Sequence, residues 1–456
     1  MSELTLKKPS VFIRWTVLLV ISLAMMGNYY IYDSINPLGA QLIKELGFKQ
    51  SGVTLLQAIY SMPNIFMVLI GGIIIDRIGV KKSALLFACF VMLGAIITCL
   101  KGRLYMMATG RLIFGLGAES MIIAITTTIA HWFKGKQLSF AFGLNLTVAR
   151  LGTYLAQISP SWAANIYKQG WQHPLFISAF AGVMAFVFIG IYFIVSYLAE
   201  KRYSFEKREQ VDKIDLKKII QFSKSFYFIS ILCFVFYAAI FPFTSSIGET
   251  VFQHLHHTSS STAGVLVGIP TLMAMVLTPL FGLLADHMGK RSLLMMFGAF
   301  LLIPIYLLIA FATDSTSFMG LHHSIHVKFS LLNFDNYIFP NQFIPMFILG
   351  IAFSLVPAVM WPAVALVVDS NRLGTAYGLM TMIQNIGLTL YNLLIGFTND
   401  HFHAGEHNPN GYVPGLLIFA SCGILGVVMA FFLYRSAREA GSVNLDKPMT
   451  EIQVGY

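Results

Sequence analysis

Charge is scarce in this chain. Asp, Glu, Lys and Arg make up 11% of its 456 residues, against about 25% in a soluble globular domain. That is too little charge for an ordinary water-facing surface of this size, which argues against a soluble enzyme or binding module. Cysteine is scarcer: Cys89, Cys99, Cys233 and Cys422 all lie in apolar segments, and their spacing forms neither a disulfide framework nor a metal site. No nucleophile, general base and metal-ligand set stands together, so no enzyme chemistry and no cofactor are expected. The 30 basic residues outnumber the 20 acidic ones, but that excess follows membrane topology and needs no nucleic-acid partner.

Hydrophobic residues dominate instead, at 57% of the chain with a mean hydropathy of +0.73. Twelve apolar runs are long enough to cross a bilayer: 12–35, 51–74, 80–100, 104–133, 137–160, 173–198, 225–248, 262–285, 292–313, 341–367, 373–399 and 412–434. The first is too long for a signal-peptide core and lacks a small-residue cleavage site, so it reads as a retained span. Runs four and ten exceed the about 20 residues a crossing needs, which implies tilt or projection beyond the lipid. The long charged stretch EKRYSFEKREQVDKIDLKK marks a linker at 200–224 between residues 1–199 and 225–435, and 436–456 forms a tail. The expected fold is an all-α polytopic membrane protein, with twelve transmembrane helices in two pseudo-symmetric six-helix halves.

Lys and Arg set the orientation. The N-terminus, the even-to-odd connections and the C-terminus, with the span ends that border them, hold 22 of them, the opposite side six, and the span interiors two. The positive-inside rule then places both termini in the cytoplasm. An internal repeat supports the two halves. GGIIIDRIGVKK aligns with FGLLADHMGKRS on Asp76 and Asp286, 210 positions apart, and AFGLNLTVARLG aligns with AYGLMTMIQNIG at an offset of 235. Two parallel repeats are the expected build of a rocker-switch carrier, with substrate held near the midplane.

Two charges lie where lipid should forbid them. Glu119 interrupts run four and Arg150 run five, each about 15 residues, or roughly 20 Å, from the basic turn that joins the runs. Intramembrane charges pair, face water or contact substrate. Arg offers a planar fork for a carboxylate and Glu an acceptor for an amine, so the pair suits a zwitterion; a purely structural ion pair is the alternative. Thr147, Tyr154 and Gln157 share a helical face with Arg150, and Tyr29, Tyr32 and Asn36 line one face of span one. Span eleven offers Tyr377, Thr381, Gln384 and Tyr391, with Asn385 at the repeat position of Arg150. Such stripes serve substrate or helix packing alike. Trp361, before Pro362, is expected at a kink with an aromatic contact, and as pocket wall if it lines a cavity. Asp33 is a gate residue or an interfacial carboxylate.

The run Gly72, Asp76, Arg77, Gly79, Lys81 and Lys82 resembles the signature loop of the major facilitator superfamily, with Val80 at a usually basic position. The second half keeps Gly282, Asp286, Gly289, Lys290 and Arg291, with His287 replacing the usual Arg. The resemblance implies that Asp76, Arg77 and Asp286 latch the cytoplasmic helix ends in the outward-facing state; a turn that only sets topology is the plainer reading. Arg111, Gly115, Gly117 and Ala118 resemble the span-four motif of the superfamily, and Arg111 is expected to snorkel outward as an anchor or to take part in gating.

The strings GRLIFGLGAES, HWFKGKQLSFAFGL, VARLG, MWPAVALVV and LGTAYGLMTMIQNIGL, with NYYIYD and YAAIFPF, resemble the branch of the superfamily that holds the lysosomal dipeptide transporters of animals. The resemblance covers nearly all twelve spans. It implies facilitated export of dipeptides, with Glu119 and Arg150 anchoring the amino and carboxylate ends. Its partners are then dipeptides and the lipid bilayer, in a bacterial inner membrane or, for an animal-like relative, a lysosomal one. A proton-coupled carrier of amino acids or small organic anions is the alternative, with Glu119 taking the proton. Departures are the long loop at 314–341 and the lack of an evident sorting signal. Ten of the twelve histidines fall on the outer side, including His254, His256, His257, His322, His323, His326, His401, His403 and His407. They suit acid sensing or plain loop decoration.

Overall fold

A computed structural model describes residues 10–133, 138–202, 222–312, 325–329, 334–368, 373–439 and 445–448. Eleven helices among the described residues are long and apolar enough to cross a membrane. The long helices of the first half are α1 (Val11–Asp33), α3 (Gln50–Ile78), α4 (Val80–Leu100), α5 (Leu104–Phe133), α6 (Leu138–Gln157) and α9 (Gln172–Arg202). Short helices α2 (Gly39–Leu46), α7 (Ser159–Trp162) and α8 (Ala164–Tyr167) lie between them. The second half holds α10 (Lys224–Pro242), α11 (Gly248–Leu255), α12 (Ser260–Met288), α13 (Arg291–Phe311), α14 (Pro340–Val367), α15 (Leu373–His401) and α16 (Val413–Glu439). The span that falls outside the eleven is α6, whose apolar run is diluted by Asn145, Thr147, Arg150, Thr153 and Tyr154. Lipid offers such groups no partners, so they must be met by other helices, water or a ligand.

Local chemistry fixes the helix ends. Ser10, Ser223 and Ser259 accept hydrogen bonds from Ile13, Phe226 and Thr262 backbone amides and so cap α1, α10 and α12. Gly47, at φ 67°, closes α2 in the left-handed conformation.

The all-helical expectation misses one feature. In the loop between α13 and α14, β1 (Ile325–Phe329) pairs antiparallel with β2 (Phe334–Ile338), in register from Ile325 with Ile338 to Phe329 with Phe334. Ring stacking of His326 on Tyr337, 4.8 Å apart, adds a cross-strand contact.

The chain gathers into two compact units. One comprises Met1–Ser34, Met62–Ala156 and Gln172–Val211, the other Ile35–Ser61, Gln157–Trp171 and Asp212–Tyr456. In the first unit, α4 packs on α5 and α9, and α1 packs on α9 and α5. Gly152 brings α6 onto α1: a Cβ there would stand 2.1 Å from the Met26 carbonyl oxygen. A side chain at 152 would push α6 away and displace Arg150, two residues earlier. Ser22 donates to Asn145 at 3.1 Å along the same seam.

In the second unit, α10 ends at Pro242 and passes through a single π-helical turn, Phe243–Ile247, into α11. Proline removes one intrahelical donor and the π turn frees carbonyls. Side-chain amides take them up: Asn36 Nδ2 donates to the Thr244 carbonyl at 2.9 Å, and Gln57 Nε2 to that of Ser245 at 2.7 Å. Asn36 Nδ2 also donates to Glu249 Oε1 at 3.3 Å.

The histidine cluster separates into distinct environments. His254 Nδ1 lies 2.9 Å from the Tyr412 hydroxyl, whereas His326, His401, His403 and His407 are exposed. His322 and His323 lie outside the described residues. His256 is buried against Phe252, with Nε2 2.9 Å from the Ile309 carbonyl, so Nε2 carries the proton and donates. Nδ1 has no hydrogen-bond partner among the described residues. Burial, assisted by neighbouring His257 and opposed by the Ile309 bond, pushes the His256 pKa down to about 4.

An acid-stability prediction follows for that residue. The folded pKa lies below the unfolded value of about 6.5, so the unfolded chain binds the extra proton first as pH falls. Stability should therefore drop between about pH 6.5 and pH 4, by roughly 3 kcal/mol from this group, and level off below. His256→Gln keeps a donor for Ile309 and removes the titration. Melting midpoints across that range should then show a flatter acid limb, and an unchanged limb would remove His256 as its cause.

Candidate substrate site

Glu119 sits midway along α5 and Arg150 in the second half of α6, both half-buried. Tyr29 of α1 lies within electrostatic reach of Glu119, Arg150 and Asp33 together. One tyrosine thus marks a polar locus in which opposite charges from three helices converge inside the first unit. In an apolar bundle such a locus is stable only if its members satisfy one another, water or a ligand. Along α1 the residues Leu23, Met26, Tyr29 and Tyr32 are all partly exposed at a spacing of three, so Tyr29 and Tyr32 share one accessible face. Tyr154 is also partly exposed, one turn beyond Arg150.

Other candidates from the same stripes are packing residues. Gln157 is buried, and its Oε1 accepts from Thr271 of α12 at 3.0 Å. Asn36 is occupied by the π turn and Glu249. Asp33 is 2% exposed, which rules out an interfacial position in contact with water.

Arg111 corrects the expectation of snorkelling. It is 1% exposed, with Nη1 donating to the Ile31 carbonyl at 2.9 Å and Nη2 to that of Tyr32 at 3.1 Å. Its guanidinium also stands 5.0 Å from the centre of the Phe114 ring. The carbonyls of Ile31 and Tyr32 belong to the last turn of α1, where backbone donors run out, and that of Ile31 also accepts from the Ser34 hydroxyl at 2.8 Å. A cation at a helix C-terminus also meets the favourable end of the macrodipole. Arg111 thus caps α1 and fixes the end that carries Tyr29 and Tyr32.

The second unit holds the remaining candidates. Trp361 donates its indole N–H to the Tyr237 hydroxyl at 2.9 Å and stacks on Tyr377 at 6.0 Å. The expected aromatic contact is present, and Tyr377 adds a hydrogen bond to the Trp361 carbonyl. Tyr377, Thr381, Gln384 and Tyr391 occupy the partly exposed face of α15. Asn385 is 1% exposed; its Nδ2 donates to the Thr381 carbonyl at 3.0 Å, while Oδ1 has no hydrogen-bond partner among the described residues. An unsatisfied buried acceptor is rare enough to invite a functional account.

Of the gating candidates, Arg77 is exposed in the last turn of α3, and the Asp76 side chain lies outside the described residues. Asp286 Oδ1 pairs with Arg291 Nη2 at 3.0 Å. Glu249, fully buried in α11, escaped the sequence reading. Its signal was available: it is a carboxylate directly abutting a long apolar run, one residue past the expected end of that span.

The sequence profile described as Major Facilitator Superfamily matches residues 18–390 and 253–450. The lysosomal dipeptide transporter MFSD1 of Mus musculus is 30% identical over 461 residues, covering 96% of this chain and 90% of its own length. Among solved structures, a bacterial homologue of the human lysosomal transporter Spinster, in an inward-facing and unoccupied conformation, superposes with a TM-score of 0.71 at 15% identity, covering 94% of this chain and 98% of its own. The nucleoside transporter NupG gives 0.69 at 15% identity, over 92% and 98%. The likeness of fold to solved carriers, the profile match over both halves and the near-complete overlap with the mouse relative lead to one conclusion: this chain belongs to the major facilitator superfamily, in the branch of the lysosomal dipeptide transporters, and is an integral multi-pass membrane transporter.

Proposed function

We propose that the protein carries dipeptides across its membrane by facilitated diffusion, through a rocker-switch cycle of alternating access. The observation that carries this reading is that Glu119 and Arg150, an anion and a cation from adjacent helices, both lie within electrostatic reach of Tyr29, with Asp33 as a second carboxylate there. In this reading Glu119 receives the protonated amine and Arg150 grips the terminal carboxylate in its planar fork. Tyr32 and Tyr154 supply hydroxyls beside them. On the sequence repeat, Gln384, Asn385 and Trp361 are the second half's candidates for substrate contact, and Asn385 Oδ1 is an acceptor suited to an N–H group. Asp76, Arg77 and Asp286 control the cycle rather than the affinity, and both termini face the cytoplasm, with a bacterial inner membrane as the expected setting. The curated relative's name supports the choice of dipeptides over other zwitterions.

Thermal stabilisation of purified protein tests the substrate class. A ligand that binds only the folded state at about 100 times its Kd adds about 2.7 kcal/mol of stability. Dialanine and mixed dipeptides should raise the melting midpoint, while free alanine and small organic acids should not. Stabilisation by organic acids alone would replace the dipeptide reading with an anion carrier.

A further inference from the structure

The end of the chain returns to the second signature loop. Residues 445–448 lie across the turn between α12 and α13 and take up the polar groups of its backbone and of Arg291. The Lys290 amide donates to the Asp446 carbonyl at 3.0 Å. Arg291 Nη1 donates to the carbonyls of Leu445 and Lys447 at 3.1 and 2.8 Å, while its Nη2 holds Asp286. The Ser292 amide donates to Asp446 Oδ1 at 2.8 Å, and the Ser292 hydroxyl to Oδ2. Asp446 therefore satisfies an orphan donor at the first turn of α13 and complements its dipole. Leu445 is fully buried in the hydrophobic core of this unit.

The turn is shaped for this occupant. Gly289 has φ +64°, and a Cβ there would stand 2.5 Å from the Asp446 carbonyl oxygen and 2.7 Å from the Pro448 nitrogen. The repeat-related Gly79, at φ +85°, has no described atom within 4 Å of the same point. Lys290 adopts φ 48°, a left-handed conformation that a residue with a side chain keeps only when its surroundings impose it. Two contacts hold it here: its amide donates to the Asp446 carbonyl of the tail, and its carbonyl accepts from the Leu294 amide at the start of α13.

We propose that residues 445–448 form a resident strap that brakes transport by holding the α12–α13 turn in one of two conformations. Only residues 440–444 separate the strap from the end of α16, and so short a tether keeps its effective concentration in the millimolar range. Release frees Arg291 from two of its three acceptors and lets Lys290 leave the left-handed region. The turn then relaxes, and the Asp286–Arg291 pair becomes able to exchange partners. The strap rests on the chain being a transporter and not on the identity of its cargo.

Two full-length variants test it. Asp446→Ala should speed hydrogen exchange of the Lys290 and Ser292 amides at least tenfold, and raise dialanine turnover in proteoliposomes at least twofold with KM unchanged. The pair Ser292→Cys with Asp446→Cys should slow turnover at least fivefold when oxidised and recover on reduction, a comparison made within one protein and so insensitive to folding losses. A fall in turnover on release, turnover indifferent to the disulfide, or unchanged amide exchange would each overturn the brake. Failure of the wild-type protein to carry dialanine is a failure of the substrate reading alone, and amide exchange in the turn then decides the strap.

Discussion

Acetylating the amine or amidating the carboxylate of a dipeptide is expected to weaken its binding to the wild-type protein by about 2–5 kcal/mol, because each blocked ligand leaves one buried charge without its partner. At 1.4 kcal/mol per decade, that is a loss of roughly 30-fold to several thousand-fold. The discriminating result comes from the variants. Arg150→Gln should be nearly indifferent to C-terminal amidation yet still reject N-acetylation, and Glu119→Gln should show the reverse. Both residues share reach of Tyr29, so a simple ion pair has to be distinguished from a clamp. An ion pair predicts destabilised single variants and recovery in the double neutral protein. If that double variant carried dipeptides with wild-type preference for free termini, the clamp would be wrong.

Arg111→Met is expected to be the most destabilising single change in the first unit. It removes two charge-assisted hydrogen bonds to buried carbonyls of Ile31 and Tyr32, at about 1.5–3 kcal/mol each when a charged group is involved. A combined loss of about 3–6 kcal/mol should appear as a large drop in the melting midpoint. Arg111→Lys should recover only part of it, since a single ammonium cannot span two carbonyls as a planar fork does. Those variants also separate anchoring from gating. A lysine variant with wild-type stability but no transport would return Arg111 to the gate.

The spans and the two charges were readable from the sequence because the membrane imposes a coarse rule. Long apolar runs must be helices, and a charge inside one must have a purpose. Depth along the span misleads for Arg111. Position along a helix suggests an outward-reaching side chain, while two carbonyls at the end of another helix keep it inside. Gln157 and Asn36 sit on the expected faces but meet protein, since periodicity says which residues share a face and not what covers it. The His326 hairpin, the π turn and the strap lie further beyond reach. Each depends on residues distant in sequence, and strings such as LDKP or FTSSI carry no periodic signal for them. Conversely, the Asp76 and Asp286 repeat was plain from spacing, while the tail contact that distinguishes the second loop from the first exists only in three dimensions.

The π turn at Phe243–Ile247 also sets which way the following helix points. A π turn inserts one residue into an α-helical course, and one residue is about 100° of rotation at 3.6 residues per turn. Glu249, two residues past that insertion, is thereby swung to the side where Asn36 receives it and solvent does not. In an uninterrupted helix the same carboxylate would look about a quarter-turn away. A relative that lacks the turn therefore matches this chain beyond Ile247 only after a one-residue gap. An ungapped comparison of span seven would pair Glu249 with a residue from a different face of the helix.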